Sequence, residues 1–141
     1  MELERILDRL NNCGLSRLMG IAVTDLSPGF ARATMKLKEE MANLFGSAHG
    51  GAIFSLADQA SSAAGISLGR PAVAIQMNIH YLATPRVGEE LTAEARVTHS
   101  GRRFGLIEGE IKDPSGQVIT RSEQTFYFLD KSMEEFLGET S

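Results

Sequence analysis

Gly50-Gly51-Ala52-Ile53-Phe54-Ser55-Leu56-Ala57-Asp58-Gln59-Ala60-Ser61-Ser62-Ala63-Ala64 runs without a proline, and Gly65 follows it. Small residues dominate, with Ile53, Phe54 and Leu56 supplying the larger side chains. The stretch predicts one helix of about four turns, closed by Gly65 as its C-cap. So few large side chains give a helix little stability of its own, so something must pack closely around it.

What packs around it is legible on either side. Upstream, Leu3, Ile6, Leu7 and Leu10 recur at helical spacing and predict a short amphipathic helix over 2–13. A strand over about 21–26 is followed by the turn signal Ser27-Pro28-Gly29. Then Ala31, Ala33, Met35 and Leu37 alternate with Arg32, Thr34 and Lys36, so the two strands form a hairpin. Downstream the chain reads as strand after strand. Positions 72–82 are nearly continuously apolar, and Leu91, Ala93, Ala95 and Val97 share one face of the next strand. Ser100-Gly101 and Asp113-Pro114-Ser115-Gly116 turn the chain into strands over about 103–112 and 118–129. The acidic end, 131–141, is expected to be loosely held. Two strands, one helix and four strands joined by tight turns make an α+β order with antiparallel pairing. The economical architecture is a curved antiparallel sheet wrapped around one long central helix.

Composition sets the bounds. With 141 residues, 43% of them hydrophobic and 23% charged, the chain suits a single globular domain over 1–141. Its net charge of −4 argues against general nucleic-acid binding. Cys13 is the sole cysteine, so neither an internal disulfide nor a thiolate zinc cluster can form. Neither a secretion signal nor a membrane span is evident, since the most apolar window carries Asp58. A cytoplasmic protein without cofactor or metal is expected.

The run His49-Gly50-Gly51-Ala52-Ile53-Phe54-Ser55-Leu56-Ala57-Asp58 resembles the signature of hotdog-fold acyl-CoA thioesterases of the phenylacetic-acid-degradation (PaaI-like) group. Asn43 and Gly46 upstream match as well, as does Met77-Asn78-Ile79-His80-Tyr81-Leu82 with Pro85 and Gly88. The similarity extends from about residue 21 to 128. It implies a hotdog fold and hydrolysis of an acyl-CoA to free acid and CoA, with an aryl-acyl (phenylacetyl-type) or medium-chain fatty acyl group. It also implies a homodimer at least, and commonly a homotetramer.

The residue types suit that chemistry. Thioester hydrolysis develops negative charge on the carbonyl oxygen, and amides at a helix N-terminus stabilise such charge. Gly50 and Gly51 lack the Cβ that would keep an acyl group away from those amides. A carboxylate then acts as general base or attacks the carbonyl itself. Asp58 is the only acidic residue between Glu40 and Glu89. It lies eight residues beyond Gly50, about 12 Å along a helix, so one carbonyl cannot meet both groups of one chain. Two antiparallel helices across a two-fold axis would bring Asp58 of one copy to Gly50 of the other.

Each assignment has a bland counterpart. Asp58 could be a solvated helix residue or an arginine's partner, and Gly50-Gly51 could merely permit a turn. His49 is read as fixing the loop or contacting the thioester. Asn43 either positions the attacking water, in the family sense, or caps the Gly46 turn. Ser61 and Ser62 either touch the acyl chain or only pack. Where some relatives carry a strand hydroxyl, the alignment places Ala74. His80 and His99 lack metal-ligand spacing and read as structural. Arg102-Arg103 is the densest basic pair for the CoA phosphates, with Arg86 and Arg70 as fallbacks. Competing functions are a non-catalytic acyl-CoA binder and a hotdog hydratase or dehydratase, whose paired His and acid are not evident.

Overall fold

A computed structural model describes residues 2–139. Two short helices, α1 (Glu2–Asn11) and α2 (Gly14–Met19), precede the hairpin β1 (Ala22–Ser27) and β2 (Phe30–Lys36). A long helix α3 (Gly50–Ile66) follows, then β3 (Ala72–Tyr81), β4 (Glu90–Ser100), β5 (Phe104–Lys112), β6 (Val118–Phe128) and α4 (Met133–Glu139). The six strands form one sheet in the order β1-β2-β4-β5-β6-β3. Every ladder is antiparallel. Register irregularities in the β1–β2, β3–β6, β4–β5 and β5–β6 ladders are the means by which a sheet bends.

The sheet wraps α3 because both surfaces are lined by small residues. Ala31, Ala33, Ala93 and Ala95 face inward and are essentially inaccessible, as are Ala60, Ala63 and Ala64 of the helix. Leu56, Met35, Leu91, Ile107 and Phe126 fill the remaining space. The alternation read in β2 and β4 therefore marks the core face. Gly65 is not a C-cap. It lies inside α3, whose C-cap is Ser67, and a Cβ there would come within 3.3 Å of Ile107 Cδ1 and 3.6 Å of the Phe126 ring. Gly105 is stricter, since a Cβ would sit 2.2 Å from Phe126 Cζ. Gly105 makes room for the Phe126 ring, and Gly65 for the tip of Ile107.

Two further expectations give way. The helix expected over 2–13 ends at Asn11, and a second, α2, begins at Gly14. The loosely held tail is, over Met133–Glu139, a helix docked on α1: Met133 and Leu137 are buried against Ile6. Arg9 donates to the Leu137 carbonyl at 2.7 Å, and Arg5 pairs with Glu134 at 3.0 Å. Residues 140 and 141 lie outside the described residues. The apolar run of β3 is not buried either. It forms one edge of the sheet, leaving Val73, Ile75, Tyr81 and the following Leu82 about half exposed.

Candidate active site

The loop before α3 is built by Asn43. Its Oδ1 accepts from the amides of Phe45 (2.9 Å) and Ser47 (3.0 Å), and its backbone amide donates to the Ser47 carbonyl at 2.7 Å. Gly46 turns the loop at φ +78°. Asn43 thus has the geometry of the turn cap. The loop delivers His49 to the N-cap position, where Nδ1 accepts from the Gly51 amide at 2.8 Å. The same residue's carbonyl accepts from Ala52 and Ile53. A Cβ on Gly51 would lie 3.0 Å from His49 Nδ1, so the cap needs glycine there. Neither Gly50 nor Gly51 has a positive φ, which removes the turn-permitting explanation of the pair.

His49 therefore occupies three of the four amides in the first turn of α3, and among the described residues the Gly50 N–H donates to nothing. Tyr81 holds the other side of Gly50: its hydroxyl donates to the Gly50 carbonyl at 2.9 Å, and burial pushes that phenol up. Gly50, Tyr81, Asn43, Ser47, Ile53 and Pro85 line a cavity of about 440 Å³ at the β3 edge.

Asp58 lies two turns further along α3, half-buried. Its Oδ1 accepts from Gln124 Nε2 at 3.0 Å. Burial pushes its carboxyl above the ordinary aspartate range, and the Gln124 bond pulls it partly back. Among the described residues Asp58 pairs with no arginine. Ser61 is buried over Gly109 of β5, whereas Ser62 is half-buried. Arg102 and Arg103 are exposed in the β4–β5 turn. The structure brings Arg70 to them: it donates to the Arg102 carbonyl at 3.0 Å and stacks on Phe128, while Arg103 donates to the Tyr127 hydroxyl at 3.3 Å. Arg86 lies in the connection between β3 and β4. His80 and His99 are exposed on separate strands, and Ala74 lies beside the β3 irregularity. Gln124 and Tyr81 were missed as site residues. Gln124 left a signal, a lone long polar side chain on the inward face of a strand.

The thioesterase superfamily pattern matches residues 45–120 of this sequence, a span that holds the end of the loop after Asn43, α3 and three whole strands. The chain belongs to the thioesterase superfamily. The acyl-coenzyme A thioesterase PaaI of Escherichia coli K12 is 39% identical over 77% of each chain. The structure of the E. coli PaaI protein from the phenylacetic acid degradation operon superposes with a TM-score of 0.88 at 30% identity, covering 93% of this chain and 95% of that one. A thioesterase protein of Streptococcus pneumoniae, solved with coenzyme A, gives 0.82 at 25% identity, covering 89% and 98%. The sheet-around-helix architecture of this thioesterase is thus the hotdog fold, as the sequence resemblance implied, and the chain is a PaaI-like thioester hydrolase. No described helix is long and apolar enough to cross a membrane.

Proposed function

We propose that this thioesterase hydrolyses acyl-CoA, with the carbonyl oxygen held on the Gly50 amide of one copy and attacked with the help of Asp58 of a second. The observation that carries the reading is the undonated Gly50 N–H at the start of a helix of 17 residues. There the helix dipole adds to the hydrogen bond, and both act on charge that grows only as the carbonyl becomes tetrahedral. His49 contributes by occupying its neighbours and fixing the turn. Asp58, with Oδ2 unbonded among the described residues, is the base or nucleophile.

The two groups belong to different copies because one chain keeps them about 12 Å apart. The apolar, half-exposed β3 edge adjoining the Gly50 cavity supports a second copy there. A homodimer is the minimal active unit, and two dimers complete a homotetramer. Arg102 and Arg103, joined by Arg70, receive the CoA phosphates. The acyl group is aryl-acyl or medium-chain fatty acyl, with Ser61 and Ser62 along its path. Thiol release from phenylacetyl-CoA and octanoyl-CoA tests the proposal. Release from either supports hydrolysis, the faster substrate names the class, and CoA-ester binding without release would make the protein a binder.

A further inference from the structure

On the inner face of β6, Gln124 is 1% exposed among Ser122, Phe126 and the apolar side chains beneath α3. Its Nε2 donates to Asp58 Oδ1 at 3.0 Å and lies 3.6 Å from Met77 Sδ. Its Oε1 is buried without a partner. A carboxamide left half-satisfied in a core costs more than an apolar side chain of its size would. Its one strong bond is to Asp58. That bond also fixes which way round the amide sits, since turning it over would set Oε1 against a carboxylate oxygen. We propose that Gln124 is the positioning residue of this site, clamping Oδ1 of Asp58 from the sheet so that Oδ2 is presented to water or to the acyl carbonyl.

This rests on the reading of Asp58 as the reacting carboxylate. A carboxylate on the middle of a helix, flanked by small residues, has little else to hold its χ angles. Among the described residues, the inward side chains packed around α3 are uncharged, including Val23 of β1, Ala33 of β2, Met77 of β3, Leu91 of β4, Ile107 of β5 and Phe126 of β6. The buried carboxylate oxygen of Glu89 lies just before β4, where the Glu89 carbonyl accepts from the Leu37 amide. From α1, the contact beside Asp58 is Gln59 Nε2 donating to the Leu10 carbonyl. Burial and Gln124 are the two influences on the Asp58 carboxyl, and they oppose each other. Removing Gln124 leaves burial alone, so the carboxyl should rise.

The experiment is the pH profile of kcat in Gln124→Met, which keeps length and volume without the donor. Loss of a charge-assisted bond on a half-buried group should move the acid limb to higher pH by about one unit. Loss of orientation should lower the plateau kcat roughly tenfold, with KM little changed. An acid limb or a plateau indistinguishable from wild type overturns the proposal. If Gln124→Met does not fold, Gln124→Glu serves: a second carboxyl beside Asp58 should move the limb further in the same direction, and an unmoved limb overturns the proposal equally. Asp58→Asn separates the two layers. If it stays active, the Asp58 reading falls and Gln124 with it; if it is inactive while the Gln124 limb stays in place, only the positioning role falls.

Discussion

In the proposed mechanism single residues decide the chemistry: the Asp58 carboxylate, the Gly50 amide and the Tyr81 hydroxyl. Asp58→Asn removes the base or nucleophile at constant size, so kcat should fall roughly 10²–10⁴-fold, and steady-state thiol release checks it. Stability should change the other way. A carboxyl raised in the fold is better tolerated protonated, so its ionisation costs stability above its folded pKa, and that cost fades as pH falls. Asp58→Asn should therefore melt slightly higher than wild type at neutral pH and lose that advantage in acid, as calorimetry at several pH values would show. Tyr81→Phe deletes only the hydroxyl that steadies the Gly50 carbonyl. A neutral hydrogen bond is worth about 0.5–1.5 kcal/mol, so a two- to tenfold loss in kcat is expected, with folding intact. Asp58 was legible because it stands alone among small residues. Gln124 was not, because strand periodicity tells which residues face inward only once the sheet's two faces are assigned.

Segments of clear pattern were read nearly to the residue: α3 from its proline-free run of small residues, the β1–β2 hairpin and the face of β4 from their alternation. The short helices escaped. With 6 and 7 residues, α2 and α4 are too short to show a helical period or to be stable alone, and they exist because of what they dock against. Leu137, 1% exposed under α1, should therefore matter as a core residue does. Leu137→Ala is expected to cost about 2–5 kcal/mol, whereas the exposed Arg5–Glu134 pair contributes little. Urea unfolding of Leu137→Ala and of Arg5→Ala checks this. Gly65 and Gly105 were likewise unreadable, because the need for glycine comes from side chains distant in sequence, Ile107 at Gly65 and the Phe126 ring at Gly105. Gly105→Ala should destabilise by about 1–3 kcal/mol through overpacking, and Phe126→Leu in the same chain should recover part of it; a purely additive double mutant would refute the contact.

At the scale of the molecule, a site divided between copies predicts complementation. Gly50→Pro deletes the amide donor, and it suits its position: proline is accepted at the first turn of a helix, and His49 before it is extended at φ −68°, ψ 131°. Asp58→Asn and Gly50→Pro should each be nearly inactive alone. Co-expressed, they should regain activity in hybrid dimers carrying one intact site, and hybrids without activity would refute the shared site. Arg102→Ala and Arg103→Ala should raise KM for acyl-CoA with kcat similar, while an acyl-pantetheine, lacking the nucleotide, should be indifferent to both. The edge strand β3, ten residues long and mostly apolar, carries one more consequence. On the proposed pairing its missing neighbour is supplied by mass action, so the melting temperature of this thioesterase should belong to a concentration and not to the chain alone. Each tenfold dilution then removes about 1.4 kcal/mol of association free energy, and activity per chain should decline once dilution passes the dimer's Kd.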